Sequence, residues 1–320
     1  MPCPHPRKTM KYRAGLLWVG LSLFPVLLQA GEVRQGGYHF INPLLECETE
    51  DWKEIRSFKR ELEELIDKEK KRTTISHVSV YFRDLKNGPW FGIQERDPFA
   101  PASLLKVPLM MAYYRLAQDR PALLNEKVVF QRKKNVVARP GVVLPLVDGQ
   151  IYSIEDLINT MIIHSDNEAK DILFDNIPLK EDLIRVYTDL DIVVPYQSMA
   201  EDHMSVKSYT GFFRVLFNAS YLNREYSERA LYLLSKTTFR GGLVAGVPPG
   251  VIVSHKWGFW PTKTGGKQLH DCGIIYYQEH PYLLGVMTRG KTEEELVEIV
   301  RKISQFVYDE LNRQYIGKKP

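Results

Sequence analysis

Cysteine is nearly missing from this sequence, with only Cys3, Cys47 and Cys272 among 320 residues. That scarcity excludes a small fold stapled by several disulfides. Beyond the first thirty residues no stretch approaches eighteen uninterrupted apolar side chains, so nothing downstream reads as a membrane-spanning helix. Neither sign of charge dominates, with 43 Lys and Arg against 39 Asp and Glu. The small excess sits in residues 1–30, which hold Arg7, Lys8, Lys11 and Arg13 and no acid, and the neutral remainder offers nucleic acid no basic surface. Also absent are a His-Glu-x-x-His zinc motif, a Gly-x-Ser-x-Gly elbow and a Gly-rich phosphate loop. His164, His255 and His270 have no ligand spacing and are expected either to support structure or to stand behind the residues of a site.

What is present is enough apolar side chain, 44% of the residues, to bury a large core in one large domain or two small ones. Residues 1–30 combine a basic start, an apolar stretch from Ala14 to Leu28 and a small residue, Ala30, where a signal peptidase would cut. They read as an export signal, with an uncleaved membrane anchor as the competing reading because Leu28 fits the small-x-small cleavage pattern poorly. Export places the body in the periplasm or outside the cell. There Cys47 and Cys272 would form either a disulfide or two separate buried thiols, and spacing does not choose between them.

Residues 31–49 read as an irregular lead-in and 50–320 as the folded body. Ile55, Phe58, Leu62, Leu65 and Ile66 recur at helical spacing through Arg72, and Ile75 to Phe82 with Trp90 to Ile93 read as a hairpin. Helical patterns follow over about 103–118, after a capping box at Ser153 and Asp156, and over about 167–175, 179–190, 205–217 and 224–236. Strands return at Val251 to Lys256, Gly273 to Tyr277 and Tyr282 to Met287, before a last helix from Thr292 to about Asn312. The pattern predicts an α+β protein. One sheet is assembled from both ends of the chain, a helical lobe spans about 100–240, and a cleft lies between them.

Three short motifs carry possible chemistry. Ser103 and Lys106 stand three apart at a helix start, which puts both side chains on one face. A serine hydroxyl becomes a nucleophile only when a neighbouring base removes its proton, and a lysine serves only if desolvation or an adjacent positive charge lowers its pKa. Ser165-Asp166-Asn167, in a break between helices, offers a hydroxyl for proton transfer and an amide to hold a carbonyl. Lys256-Trp257-Gly258 closes a strand, where a lysine supplies positive charge and a glycine lets substrate approach the backbone. Each alone is unremarkable: a solvated lysine, a helix stop, a strand end.

Together and in this order they resemble the three signatures of the penicillin-recognising serine hydrolases, the set shared by class A β-lactamases and penicillin-binding proteins. The resemblance covers roughly residues 50–315 and implies a serine β-lactamase/transpeptidase-like fold, a five-stranded antiparallel sheet flanked by helices with a helical lobe. It implies Ser103 as the acylated nucleophile, Lys106 as its proton acceptor and Ser165 as the relay to the leaving nitrogen. Asn167 and Lys256 would hold the substrate, Gly258 would admit it, and the N–H groups of Ser103 and Phe259 would form an oxyanion hole. It implies no metal or organic cofactor, and a β-lactam or peptidoglycan-like small molecule as partner of a monomer.

Two departures from the family pattern stand out. Trp257 occupies a position where the β-lactamases carry Thr or Ser, and the rival triplet Lys263-Thr264-Gly265 restores that hydroxyl. Lys256 is preferred because Val251-Ile252-Val253 before it is strand-like, whereas Pro261 and Gly265-Gly266 suggest a loop. The glutamate that class A enzymes use to activate the deacylating water is not visible either. Glu201 is the nearest candidate, although Glu201-Asp202 before a helix also suits simple dipole complementation. Trp257, Phe259 and Trp260 would line an apolar pocket or simply pack.

Overall fold

The computed structural model describes residues 39–41, 53–86, 88–132, 145–195, 201–278 and 280–316. Helix α1 (Lys53–Arg72) leads into the hairpin β1 (His77–Asp84) and β2 (Trp90–Ile93), then β3 (Pro98–Phe99) and a 3-10 turn, Ala102–Leu105. The helical lobe follows as α2 (Lys106–Asp119), β4 (Lys127–Val129), β5 (Ile151–Ser153), α3 (Ile154–Ile163), α4 (Asn167–Asn176) and α5 (Lys180–Thr188). It continues through β6 (Met204–Ser205), α6 (Val206–Phe217), α7 (Arg224–Leu234) and the single turn α8 (Gly242–Ala245). The chain then returns to the sheet with β7 (Ile252–Pro261), β8 (Lys267–Tyr276) and β9 (Tyr282–Gly290), and ends in α9 (Glu293–Ile316).

The five-stranded sheet has the order β2-β1-β9-β8-β7 with every neighbour antiparallel, so β1 from the start of the body pairs with β9 from its end. Both faces of the sheet are covered. On the outer face Phe58, Leu62 and Ile66 of α1 and Leu296, Val300, Ile303 and Val307 of α9 pack over Val80 and Phe82. On the inner face Tyr81, Ile274, Leu283 and Met287 join Met110, Tyr209 and Phe212 of the helical lobe. Side chains buried to this degree each contribute about 1.5–3 kcal/mol, and the inner core fixes the lobe against the sheet. The expected capping box opens α3, where Ser153 Oγ accepts from the Asp156 N–H at 3.0 Å and Asp156 Oδ2 accepts from the Ser153 N–H at 2.9 Å.

Several boundaries differ from expectation. Strand β7 runs on past Lys256 and β8 begins before Gly273, because their ladder continues from Ile252 opposite Tyr276 to Pro261 opposite Lys267. Proline is tolerated there because β7 is an edge strand. The helix expected from about Ser103 starts as the 3-10 turn and becomes α-helical at Lys106.

Cys272 is a free thiol, fully buried in the inner core, rather than half of a bridge, and Cys47 lies outside the described residues, as does 1–30. Among the described residues no helix is long and apolar enough to cross a membrane. Within the lead-in, residues 39–41 are docked. The N–H groups of His39, Phe40 and Ile41 all donate to the Glu228 carboxylate at 2.7–3.1 Å, and Phe40 packs edge-on against Tyr232 and Tyr276.

Candidate active site

Ser103 stands on the 3-10 turn that feeds α2, and the sheet holds this turn from below. The Ala100 N–H donates to Gln268 Oε1 at 3.0 Å, and the Ala100 carbonyl lies 3.0 Å from His270 Nε2. Burial pushes the His270 pKa down to about 4, which keeps the ring neutral near pH 7. Nε2 must then carry the proton that meets the carbonyl, leaving Nδ1 to accept from the Thr288 N–H at 3.3 Å. Gln268 in turn donates to Asp202, which pairs with Arg289 at 2.8 Å, and the Tyr209 hydroxyl donates to the Leu104 carbonyl at 3.1 Å. This clamp sustains a left-handed backbone at Ala102, φ +49°, the kind of conformation that costs a non-glycine residue about 1–3 kcal/mol.

A second left-handed residue, Ser165 at φ +54°, lies between α3 and α4. Its neighbour Asp166 is committed to capping α4, with Oδ1 accepting from the Ala169 N–H at 2.7 Å. That leaves Ser165 and Asn167 facing Lys106. Lys106 Nζ lies 2.5 Å from the Ser165 carbonyl, 2.8 Å from Asn167 Oδ1, 3.0 Å from Ser103 Oγ and 3.3 Å from Ser165 Oγ.

Burial lowers the Lys106 pKa to about 7, against the opposing pull of Asp166. A neutral amine has two N–H groups and one lone pair. The Ser165 carbonyl and Asn167 Oδ1 absorb the two N–H groups, and the lone pair remains for the Ser103 hydroxyl.

Lys256 completes the array from β7. Its Nζ lies 2.8 Å from Ser165 Oγ and 2.9 Å from the Trp257 carbonyl, and burial followed by repulsion from Lys106 takes its pKa well below the ordinary lysine value. Of the two candidate strand lysines, Lys256 is the one that lies beside Ser165. Lys263 and Thr264 instead sit in the exposed turn between β7 and β8, in a separate groove of about 570 Å³.

Gly258 presses on the Ser103 turn: a Cβ there would lie 3.1 Å from the Pro101 carbonyl and 3.2 Å from the Ser103 N. Gly258→Val is expected to push that turn back and cut the acylation rate by roughly 10- to 100-fold, since a misplacement of about 1 Å can cost 10²-fold. Stopped-flow labelling with a fluorescent penicillin, beside a melting curve showing an intact fold, checks this.

The indole of Trp257 stacks on Phe239 at 4.3 Å between centroids, with Lys256 Nζ 5.8 Å from its ring, so an aromatic pair stands where the family pattern has a hydroxyl. Phe259 and Trp260 both line the cleft. Glu201 is also at the cleft, where its Oε1 accepts from Trp260 Nε1 at 2.7 Å. The dipole reading of the Glu201-Asp202 pair is corrected: Ser205 caps α6, while Asp202 is spent on Gln268 and Arg289.

Sequence reasoning missed the Gln268–Asp202–Arg289 clamp, since strand polar residues without a motif carry no signal. It also missed the buried pair His255 Nδ1–Asp271 Oδ1 at 2.8 Å, behind Lys256, where Asp271 also accepts the Leu243 N–H. His270 is buried against the Ala100 carbonyl and His255 against the Asp271 carboxylate behind Lys256, so both support the array from outside the cleft.

The cleft measures about 820 Å³ and runs between the Ser103 turn, α4 and the end of β7. A sheet and a helical lobe with this opening between them define the class of β-lactamases and penicillin-binding proteins. Solved structures of that fold superpose on it. PBP-A, as a mutant in an acyl-enzyme complex with penicillin G, matches with TM-score 0.69 and 18% identity over 84% of this chain and all of its own. A β-lactamase from Chitinophaga pinensis DSM 2588 matches with TM-score 0.69 and 19% identity over 80% of this chain and all of its own. A class A representative from Bacteroides cellulosilyticus DSM 14838 gives 0.67 and 17% over 82% of this chain and 99% of its own. The chain belongs to the beta-lactamase enzyme family, whose pattern matches residues 57–311, and is thus a β-lactamase-like serine hydrolase. No curated protein sequence matches it.

Proposed function

We propose that the chain is an exported enzyme that opens a β-lactam or related cyclic amide by acylation of Ser103. The observation that carries this reading is the continuous chain of contacts Ser103–Lys106–Ser165–Lys256, each step between 2.8 and 3.3 Å. Lys106, neutral above about pH 7, takes the Ser103 proton as Oγ attacks the amide carbonyl. The N–H groups of Ser103 and Phe259 receive the developing oxyanion. The proton then passes from Lys106 through Ser165 Oγ to the departing nitrogen, with the N–H that Lys256 Nζ donates to that hydroxyl at 2.8 Å holding it in line. The family's hydrolases and the penicillin G complex of a similar fold support the substrate class.

A second reading, a D-alanyl-D-alanine peptidase or other peptidoglycan-directed enzyme that β-lactams merely trap, is favoured by one observation: Glu201 is held by Trp260. A third, a binding protein that has kept the fold, draws on the aromatic pair at Trp257. A chromogenic cephalosporin assay run beside fluorescent-penicillin labelling separates them. Rapid turnover supports the first, a persistent label without turnover the second, and neither signal the third.

Acylation carries its own pH signature. Below pH 7 Lys106 is an ammonium and has no lone pair to offer, so the rate falls about tenfold per pH unit on the acid side and levels off above about 7. A flat profile from pH 5 to 8 would count against Lys106 as the base.

A further inference from the structure

Helix α4 presents a stripe to the cleft at the i, i+3, i+4, i+7 spacing of one helical face: Asn167, Lys170, Asp171 and Phe174 all line it together with Ser103 and Lys106. The first of these binds Lys106 through Oδ1 at 2.8 Å. One turn further on stands a carboxylate, Asp171. Its charge is felt at the Lys106 ammonium, so it lies within electrostatic reach of the array rather than at a distant rim. Lys170 pairs with it at 2.5 Å, and both side chains are about 40% exposed, which leaves the carboxylate where solvent reaches it. Among the described residues the other acid lining the cleft, Glu201, has its Oε1 engaged by Trp260 on the β7 side.

We propose that Asp171 is the general base that activates the deacylating water, taking from α4 the task left open by the missing glutamate. The inference rests on the reading of Ser103 as the acylated nucleophile. In the step it describes, a water held between Asp171 and the ester attacks the acyl carbon and gives one proton to the Asp171 carboxylate. As the tetrahedral intermediate collapses, the bond from the acyl carbon to Ser103 Oγ breaks and that oxygen recovers the proton. Water has then been divided across the ester, the product leaves as the ring-opened acid, and both side chains end as they began. Phe174, one turn beyond, supplies the apolar wall that keeps the acyl group's side chain off this water.

The test follows the full-length protein by intact mass spectrometry after mixing with benzylpenicillin, in wild type, Asp171→Asn, Asp171→Glu and Glu201→Gln, with antibiotic consumption read in parallel. The expected result is that Asp171→Asn acylates at the wild-type rate and keeps its adduct at least about 100-fold longer, the low end of what a general base contributes. Asp171→Glu regains part of the turnover. Unchanged acylation also certifies that the variant is folded. The inference is overturned if the Asp171→Asn adduct clears as fast as wild type, if the wild-type adduct itself persists, or if Glu201→Gln is the variant that accumulates adduct. A wild type that neither forms an adduct nor consumes the antibiotic defeats the acylation reading, and this inference with it.

Discussion

Ser103→Ala is expected to abolish the penicillin adduct altogether and to lower turnover by at least about 10³-fold, equivalent to roughly 4 kcal/mol of transition-state stabilisation. The expectation follows from the site's economy of nucleophiles. Ser165, the other hydroxyl within reach of Lys106 Nζ, is 3.3 Å away and already accepts from Lys256 at 2.8 Å. In the proposed mechanism it relays a proton rather than attacks. Removing Oγ from Ser103 leaves the clamp on Ala100 and Leu104 intact, since those bonds run through the backbone. The variant should therefore melt within a few degrees of wild type while showing no mass increase with benzylpenicillin. A variant that keeps its adduct would place the nucleophile elsewhere.

Replacing Lys106 should do nearly as much damage, and the choice of substitution separates its roles. Lys106→Met removes charge and base together, whereas Lys106→Arg retains the positive charge on a group that does not deprotonate in proteins. If the amine is the proton acceptor, both variants lose about 10³-fold or more in acylation rate. If its service were only to hold positive charge near the oxyanion, the arginine variant would recover much of the loss. The same logic fixes the pH dependence, because the acid limb with a midpoint near 7 belongs to this amine and should vanish from whatever residual rate the variants keep. Stopped-flow labelling between pH 5 and 8 reads both effects.

Much of this arrangement was legible because the motifs are local. A spacing of three from Ser103 to Lys106 puts two side chains on one face whatever the surroundings, and the capping box at Ser153 and Asp156 announces α3 from its own chemistry. The return of β-branched runs near the end of the chain marked three strands there, although β7 and β8 extend further than the pattern suggests.

What escaped the sequence reading depends on contacts between distant segments. Nothing in Gln268 or His270 says that they grip Ala100, 168 and 170 residues away. The extent of β7 was underestimated because Trp257, Phe259 and Trp260 alternate less cleanly than the valines before them, and their strand state is imposed by pairing with β8. Asp171 was passed over because a charged residue in mid-helix is ordinarily just a solvated one. Only the packing of α4 beside α2 brings it to the cleft.

The mooring of residues 39–41 on Glu228 has a geometric consequence. Phe40 rests beside Tyr276, which pairs with Ile252 at the opening of β7, while Gly258 and the Ser103 turn lie toward the strand's other end. Six residues of extended chain separate the two, about 20 Å at a strand's rise. Residue 39 therefore enters the body at the rear of that strand, and its mooring on Glu228 stands apart from the mouth of the cleft.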